Sequence, residues 1–227
     1  MATALRTQSN FPRMRARADA ARFRRRWGFA PPPPWSDWVG YEVLLEEIEC
    51  HGVDRLEGDV LEIGAFLGGG TSKLCGWFGL RAPSKRVVVV DVFDPDFDAT
   101  RTVEGWAMHD LYGAALKGRN QREVFDDVTR RCTNLTVVQG DSTSVEIPSE
   151  RLAFAFVDGS HVPGDVRSDF ECVWERLSPR GIAAFHDYGA DLPGVTHTLH
   201  ACIGDHADEI ERIWTKAPRV LFVQRAG

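Results

Sequence analysis

Two acid–imidazole pairs in the second half of the sequence have the residue types of an acid–base or metal site. Asp158 and His161 stand in FVDGSH, and His186 and Asp187 stand in FHDYG. Each pair follows a short apolar run, and groups that follow neighbouring parallel strands, about 4.8 Å apart, can converge on one spot. A positioned imidazole can take a proton from an alcohol, while two carboxylates and an imidazole can hold a divalent metal. The alternative is a hydrogen-bonded Asp–His network that only shapes a pocket.

The stretch LEIGAFLGGGTSKL (Leu61–Leu74) is the second chemical feature, because four glycines follow an apolar run there. It has the glycine spacing of a phosphate-binding P-loop, but Gly70 stands where that loop has its lysine. It also fails the dinucleotide-binding fingerprint, since Lys73 stands where the third glycine belongs. What remains is an acid followed by two glycines, Glu62, Gly64 and Gly68. This pattern suits a neutral or cationic ligand close to bare backbone, and a tight turn without a ligand is the alternative.

The next two predicted strands also end in polar residues. Asp91 closes VVVVD, and Asp141 and Ser142 lie in GDSTS after the third strand. The first acid can accept hydrogen bonds from ribose hydroxyls, and the second pair can bind an adenine edge. A solvent-facing acid and an Asx-turn are the alternatives. In this order the residues predict a nucleoside site without phosphate contacts, which fits S-adenosylmethionine (SAM) and its positive sulfonium.

Helices and strands alternate along the sequence. Apolar runs predict strands at residues 60–63, 87–90, 135–138, 152–157, 182–185, 210–214 and 220–223. Periodic apolar positions predict helices at residues 37–50, 71–78, 119–131, 163–177 and within 195–206. In the first helix, Trp38, Tyr41 and Leu44 fall on one face. The alternation predicts a Rossmann-like α/β fold: a doubly wound, mainly parallel sheet of about seven strands, the last one antiparallel, with helices on both faces.

The net charge of −6 is unevenly distributed over the 227 residues. Eight Arg and one Asp give residues 1–30 a charge of +7, which leaves −13 for the remainder and argues against a nucleic-acid-binding body. The PPPP run predicts a boundary between an arginine-rich leader, residues 1–34, and one domain, residues 35–227. We interpret the leader as a mobile segment or a packed helix. An organelle transit peptide and a nucleic-acid or membrane arm are the alternatives.

Cysteine usage and hydropathy indicate a cytoplasmic protein. The five Cys are scattered, odd in number and form no C-x-x-C motif, so neither a disulfide framework nor a zinc knuckle is predicted. No apolar run approaches the ~20 residues that span a membrane. We therefore expect a reducing compartment and no membrane partner. A homodimer formed through the leader and the first helix is a separate hypothesis.

The motifs resemble the class I SAM-dependent methyltransferases over residues 58–188. LEIGAFLGGGTS resembles the first motif of the catechol O-methyltransferase type. FVDGSH followed by LSPRGIAAFHDYG is closer to the small-molecule O-methyltransferases that act on sugars and other natural products. The resemblance implies SAM as the cofactor. Its implied binding residues are Glu62, Gly64, Ala65, Phe66, Gly68, Asp91, Asp141, Ser142 and Asp158.

The resemblance also implies roles at the reacting end. His161 occupies the position of the catalytic base, and Asp158 is the second catalytic residue that we expect. A divalent metal (Mg, Mn or Fe) would bind Asp158, His186 and Asp187, although His186 stands where the sugar-modifying relatives have Asp. Either a base or a metal would activate the hydroxyl of an acceptor.

Residues 92–117 form a long polar connection, and connections of this length are often lids or binding loops. The acceptor-binding residues that we expect, from this connection and from the motif after the fifth strand, are Trp106, His109, Tyr112 and Tyr188. Asp94, Asp96 and Asp98 lack the glycine and the terminal Glu of a calcium loop, so we interpret them as part of a solvated loop.

The leading hypothesis is an enzyme that transfers a methyl group from SAM to a hydroxyl of a small molecule, such as a sugar or a phenol of a secondary metabolite. N-methylation, or methylation of a macromolecule, is the second hypothesis for an enzyme. A SAM-fold binding or scaffold protein without turnover is the alternative from another class. The failed glycine fingerprint disfavours a nicotinamide oxidoreductase.

Overall fold

The structure is a computed structural model, and it describes residues 11–37, 40–217 and 219–227. The chain divides into two compact units, residues 1–31 and residues 32–227. In the described part of the first unit, the helix α1 (Phe11–Trp27) carries the arginine-rich segment and exposes its arginines from residue 15 onwards. Phe23 and Phe29 pack edge to face there, with ring centroids 5.2 Å apart. Residues 1–10 of the predicted leader lie outside the described residues.

The second unit alternates strands and helices over its described residues. The strands are β1 (Asp59–Ile63), β2 (Val87–Asp91), β3 (Leu135–Gln139), β4 (Leu152–Val157), β5 (Leu177–Phe185), β6 (Ile210–Lys216) and β7 (Val220–Arg225). The helices are α2 (Glu42–Cys50), α3 (Gly69–Arg81), α4 (Met108–Leu116), α5 (Gln121–Thr129), α6 (Pro163–Arg176) and α7 (Pro193–Asp205). The strand order is β3-β2-β1-β4-β5-β7-β6, with β7 antiparallel to both neighbours. The predicted fold class is confirmed.

Strand alternation explains how the sheet carries helices on both faces. Leu61 and Ile63 belong to a buried cluster with Phe170 and Trp174 of α6. Glu62 points the other way and accepts a hydrogen bond from Thr71 of α3. The central strands are apolar at nearly every position because both of their faces are covered. None of the described helices has the length and apolar composition required to span a membrane.

The structure departs from the predicted elements in three places. Helix α2 begins at Glu42 instead of residue 37. Trp38, which was expected on the apolar face of this helix, lies outside the described residues. Strand β5 begins at Leu177, five residues earlier than predicted. Helix α4 was not predicted, because it has only nine residues and lies within a long polar segment, so its apolar face is a weak signal in the sequence. The other elements agree within a few residues at their ends.

The register of the sheet aligns the residues that end its central strands. Ile63 pairs with Val90 of β2 and with Val157 of β4, and Val157 pairs with Phe185 of β5. The residues that follow them therefore form one row along the carboxyl edge of the sheet. Strand order reverses between β1 and β4, and such a switch point is where sheets of this kind bind ligands.

Candidate active site

A cavity of about 270 Å³ opens along the carboxyl edge of the sheet, over the switch point. The ends of five adjacent strands contribute to its wall, in the spatial order β3, β2, β1, β4, β5. Helix α4 contributes Met108, Leu111 and Tyr112 from one face, and Tyr41 contributes its ring from the segment before α2. Predicted residues from both halves of the sequence therefore meet in one cavity.

The glycines after β1 are required mainly by close packing. Gly64 has φ +80°, and a Cβ there would lie 2.1 Å from the carbonyl oxygen of Asp158. A Cβ on Gly70 would lie 2.1 Å from the ring of Tyr41. Gly64, Ala65 and Phe66 line the cavity, whereas Gly68 lies against α5 and is not part of the cavity wall. The bare backbone thus lets β4 and the segment around Tyr41 approach the loop.

Glu62 lies behind this loop and does not reach the cavity. It is fully buried, its Oε2 accepts a 2.5 Å hydrogen bond from Thr71, and its Oε1 has no hydrogen-bond partner among the described residues. Burial raises the pKa of Glu62 to about 8, so the carboxyl group is mostly protonated at neutral pH. In this structure Glu62 supports the loop from beneath and makes no wall contact for a ligand.

Asp91 ties the glycine loop to the end of β2 and also lines the cavity. One carboxylate oxygen accepts hydrogen bonds from the backbone N–H groups of Ala65 (2.7 Å) and Phe66 (3.0 Å). The other accepts from the N–H of Phe93 at 2.6 Å and from the amide of Gln121 at 3.4 Å. Burial raises the pKa of Asp91, and the hydrogen bonds from the three backbone N–H groups oppose the rise. The predicted ribose acid therefore also fixes the conformation of the loop.

The predicted adenine residues lie at the β3 end of the cavity. Asp141 and Ser142 both line the wall. Asp141 Oδ1 accepts hydrogen bonds from the N–H and the hydroxyl of Thr143, at 2.9 and 2.7 Å, which is the geometry of an Asx-turn. The turn interpretation is thus correct for the side chain of Asp141, and the turn sits on the cavity wall.

His161 is held between two carboxylates at the opposite end. Its Nδ1 lies 2.5 Å from Asp98 and its Nε2 lies 2.7 Å from Asp187. Burial alone would lower the pKa of His161, but the hydrogen bonds to Asp187 and Asp98 outweigh burial and raise it to about 9. The same pairing holds the pKa of both carboxyls well below the usual range, although burial opposes it. His161 is 5% exposed and does not line the main cavity.

A second imidazole bridges the acids that face the cavity. His186 Nδ1 lies 3.0 Å from Asp158 and 3.2 Å from Asp187. Burial lowers the pKa of His186, but the charge of Asp158 and hydrogen bonds to both acids raise it to about 10. Arg219 adds a third cation, 3.2 Å from Asp187. Asp158, with 18% of its side chain exposed, is more open to the cavity than Asp187 at 8%.

The backbone of Asp187 has φ +56°, a left-handed conformation that is uncommon outside glycine. Such strain is typical of functional sites, where the surrounding structure holds a side chain in a required direction. Here it directs Asp187 toward three cationic side chains at once.

The donor set near Asp158 fits a divalent metal in type and spacing. One ligand atom each from Asp158, His161 and Asp187 lie within 4.8 Å of one another. Two carboxylates and one imidazole suit manganese or iron(II), and also magnesium. The imidazole in this group is His161, whereas the predicted set contained His186. Because both histidines have raised pKa values, metal binding here would have to displace protons.

The predicted acceptor residues are only partly at the cavity. Tyr112 lines it and packs on Phe66, with ring centroids 5.0 Å apart. Trp106 is 60% exposed and lies outside the wall, and His109 pairs with its neighbour Asp110. Tyr188 turns away and hydrogen-bonds His200 of α7 at 2.7 Å. None of these three side chains lines the cavity of this structure, because each has an alternative partner or faces solvent, and their role in binding the acceptor stays a prediction.

Three residues of the site were missed or misread in the sequence. Asp98, interpreted as part of a solvated loop, is buried and binds His161. Gln121 and Arg219 line the cavity but belong to no motif. An Asp-rich loop and an arginine after a proline turn are common surface features, so the only sequence signal was the unusual length of the connection that contains Asp98.

A family model described as a methyltransferase domain matches residues 61–188 of the chain. The solved structure of the O-methyltransferase NovP is 18% identical with a TM-score of 0.64, and the match covers 82% of this chain and 79% of NovP. CalS11, a TDP-rhamnose 3'-O-methyltransferase of calicheamicin biosynthesis, is 18% identical with a TM-score of 0.57, covering 92% and 94%.

MycE, a methyltransferase of the mycinamycin pathway solved with Mg, SAH and mycinamycin VI, is 15% identical with a TM-score of 0.54. The match covers 92% of this chain but only 54% of MycE. At these identities the structural matches demonstrate a shared fold. No match was found among curated proteins.

Proposed function

The chain belongs to the methyltransferase-domain family, and from this premise we propose that it methylates a hydroxyl of a small molecule, a sugar or a phenol of the secondary-metabolite class. SAM is the methyl donor. The natural-product acceptors of structures with the same fold, such as CalS11 and MycE, support this acceptor class. We place the catalytic domain at residues 35–227, with the arginine-rich residues 1–34 outside it.

One observation carries the proposal: the polar ends of five adjacent strands face a single cavity in a functional order. Asp141 and Ser142 at β3 would bind the adenine, and Asp91 at β2 the ribose. Gly64, Ala65 and Phe66 at β1 would lie under the methionine part. The sulfonium methyl would then point toward β4 and β5, where Asp158 and Asp187 lie.

The transfer itself is a single displacement. The acceptor oxygen attacks the methyl carbon in line with the sulfur, so a C–O bond forms as the C–S bond breaks. The electron pair of the C–S bond returns to sulfur, which leaves neutral S-adenosylhomocysteine (SAH). Alignment of the two reactants supplies much of the rate, and the acidic wall suits the positive donor.

The hydroxyl proton must leave as the C–O bond forms, and we assign its uptake to the cluster of Asp158, His186, Asp187 and His161. Asp158 is the member most open to the cavity, so we propose that it receives the proton. His161, which was expected to be the base, lies behind Asp187 with both ring nitrogens engaged. We propose that it positions Asp187.

Asp158, His161 and Asp187 would hold a divalent metal. When bound there, a metal would lower the pKa of the acceptor hydroxyl. The presence of Mg in the MycE structure supports this part of the proposal.

Calorimetric titration with SAH tests the donor site first. We expect micromolar binding to the unmodified protein and a large loss in Asp91→Asn, because an amide cannot accept hydrogen bonds in place of both carboxylate oxygens. Asp96→Asn is the matched control, since Asp96 lies on the connection that follows Asp91 but is exposed and outside the cavity. The protein is then incubated with SAM and a panel of phenols and aryl glycosides, and SAH release and product mass are measured. Absence of SAH binding would refute the proposal, whereas binding without turnover of any acceptor would favour the scaffold alternative.

A further inference from the structure

The charge of the cavity wall restricts the acceptors that it can take. Seven aspartates line the cavity, and Arg219 is the only arginine or lysine among the described residues of the wall. That arginine is already paired with Asp187 and with Asp191, at 3.2 and 2.5 Å. A phosphate group entering the cavity would thus find no uncommitted cation among the described side chains of the wall.

The two imidazoles do not remove the excess of negative charge on the cavity wall. Each lies between two carboxylates, His161 between Asp98 and Asp187 and His186 between Asp158 and Asp187. Even with both imidazoles protonated, the aspartates of the wall outnumber its cations. The cluster is therefore neutralised at best and does not attract anions.

Three further wall carboxylates form no ion pair with any described Lys, Arg or His. Asp94 accepts a hydrogen bond from the N–H of Asp96 at 3.0 Å, and Asp165 accepts one from the hydroxyl of Ser160 at 2.7 Å. Asp141 forms the Asx-turn at the β3 end. These hydrogen bonds come from neutral donors and leave the negative charge of the three carboxylates without a paired cation.

Another part of the cavity wall is apolar. Met108, Leu111 and Tyr112 project from one face of α4, and the ring of Phe97, 44% exposed, stands at the rim. This surface can cover an aromatic or aliphatic body, as ligand cavities commonly do.

We propose, on the basis of the proposed function, that the acceptor is a neutral or cationic molecule with an apolar body, such as a finished glycoside, and that the site rejects phosphate-bearing acceptors such as sugar nucleotides. Methylation would then follow glycosyl transfer, because the reaction that attaches a sugar to its aglycone also removes the nucleoside diphosphate. CalS11, which is described as acting on TDP-rhamnose, would differ from this chain in that respect.

Two probes with the same sugar test the proposal: 4-nitrophenyl rhamnoside and TDP-rhamnose. Each is titrated calorimetrically into the SAH-saturated protein at low salt, with chelator and again with Mg²⁺. We expect the aryl glycoside to bind at least about tenfold more tightly, and we expect high salt to weaken this preference. Equal or tighter binding of TDP-rhamnose under either condition, or no measurable binding of the aryl glycoside, would overturn the proposal.

The same titrations separate this inference from the proposed function. Failure to bind SAH would refute the function itself, whereas SAH binding with a preference for TDP-rhamnose would refute only the acceptor class.

Two variants test the physical cause of the preference. In the double variant Asp94→Asn/Asp165→Asn, the ratio of the affinity for the aryl glycoside to the affinity for TDP-rhamnose should fall by about tenfold, since two unpaired charges are removed. Asp208→Asn, on the surface away from the cavity, is the control and should leave the preference unchanged. An unchanged preference in the double variant would show that the wall charge is not its cause.

Discussion

Replacement of Glu62 by glutamine is expected to flatten the pH dependence of folding stability. Glu62 is fully buried beneath the glycine loop, and one of its oxygens has no hydrogen-bond partner in the part of the chain that the structure describes. Desolvation of the ionised form therefore dominates over the hydrogen bond from Thr71, and the pKa in the folded protein is about 8 instead of 4.5. Glutamine has nearly the same shape and cannot ionise.

The direction in which folding stability changes with pH follows from proton linkage. Between pH 4.5 and about 8 the folded protein keeps the proton of Glu62 whereas the unfolded chain has lost it. The stability that this proton provides is complete below pH 4.5 and is lost as the pH rises through about 8. From these pKa values, the free energy of unfolding should fall by about 2.5 kcal/mol between about pH 5.5 and about pH 7.5 through this residue alone.

Urea denaturation at the two pH values measures this difference. The unmodified protein also contains the buried Asp169, whose pKa burial raises to about 7, so the informative quantity is the difference between the slopes of the unmodified protein and Glu62→Gln. The absolute stability of the variant does not affect that comparison. Glu46→Gln, an exposed substitution on α2, should leave the slope unchanged. Parallel pH profiles for the unmodified protein and Glu62→Gln would refute the assignment of a protonated carboxyl beneath the loop.

Three further predictions concern the site. Gly64→Ala should abolish SAH binding measured by calorimetry, because a Cβ would lie 2.1 Å from the oxygen of Asp158 at a φ of +80°, whereas Gly113→Ala, where nothing lies within 4 Å, should bind normally. His161→Ala should lower the free energy of unfolding in urea by about 3–5 kcal/mol, since the buried Asp98 loses its paired cation and the buried Asp187 loses one of three, and a loss below about 1 kcal/mol would contradict the ion-pair arrangement. Binding of Mn²⁺ should release protons, measured by titration in buffers of different ionisation enthalpy, and Asp187→Asn should abolish it; binding without proton release would contradict the raised pKa values of the two histidines.

The sequence was most informative where the chain is buried on both sides. Runs such as VVVVD and LAFAFV are apolar at almost every position because helices cover both faces, so the strands and their carboxyl ends could be located closely. Because the carboxyl ends of parallel strands meet at one edge of a sheet, the polar residues there could be expected to lie near one another. Asp91, Asp141 and Asp158 do line one cavity.

The partners of those residues could not be predicted, because they are distant in sequence. Asp98 and His161 are 63 positions apart, and the bond between them depends on how the long connection folds back over β4. Arg219 reaches the site from the turn between β6 and β7, which carries no motif. The same limit explains why Tyr112 lines the cavity whereas the other three expected acceptor residues do not. A loop sequence reveals which side chains are aromatic but not which of them turn inward.

The glycine stretch connects donor binding with proton uptake in the proposed mechanism. Gly64 and Asp158 are the first residues after β1 and β4, and they touch through their backbones at the switch point of the sheet. The N–H of Asp158 also donates to the carbonyl of Ile63 at 2.8 Å, so the two strand ends are fastened together. In the proposed mechanism, a donor lying on Gly64 would present its methyl group on the side of the cavity where Asp158 lies. The absence of a side chain at Gly64 brings the proposed proton acceptor within reach of the donor, and for that reason Gly64→Ala should damage donor binding and catalytic geometry together.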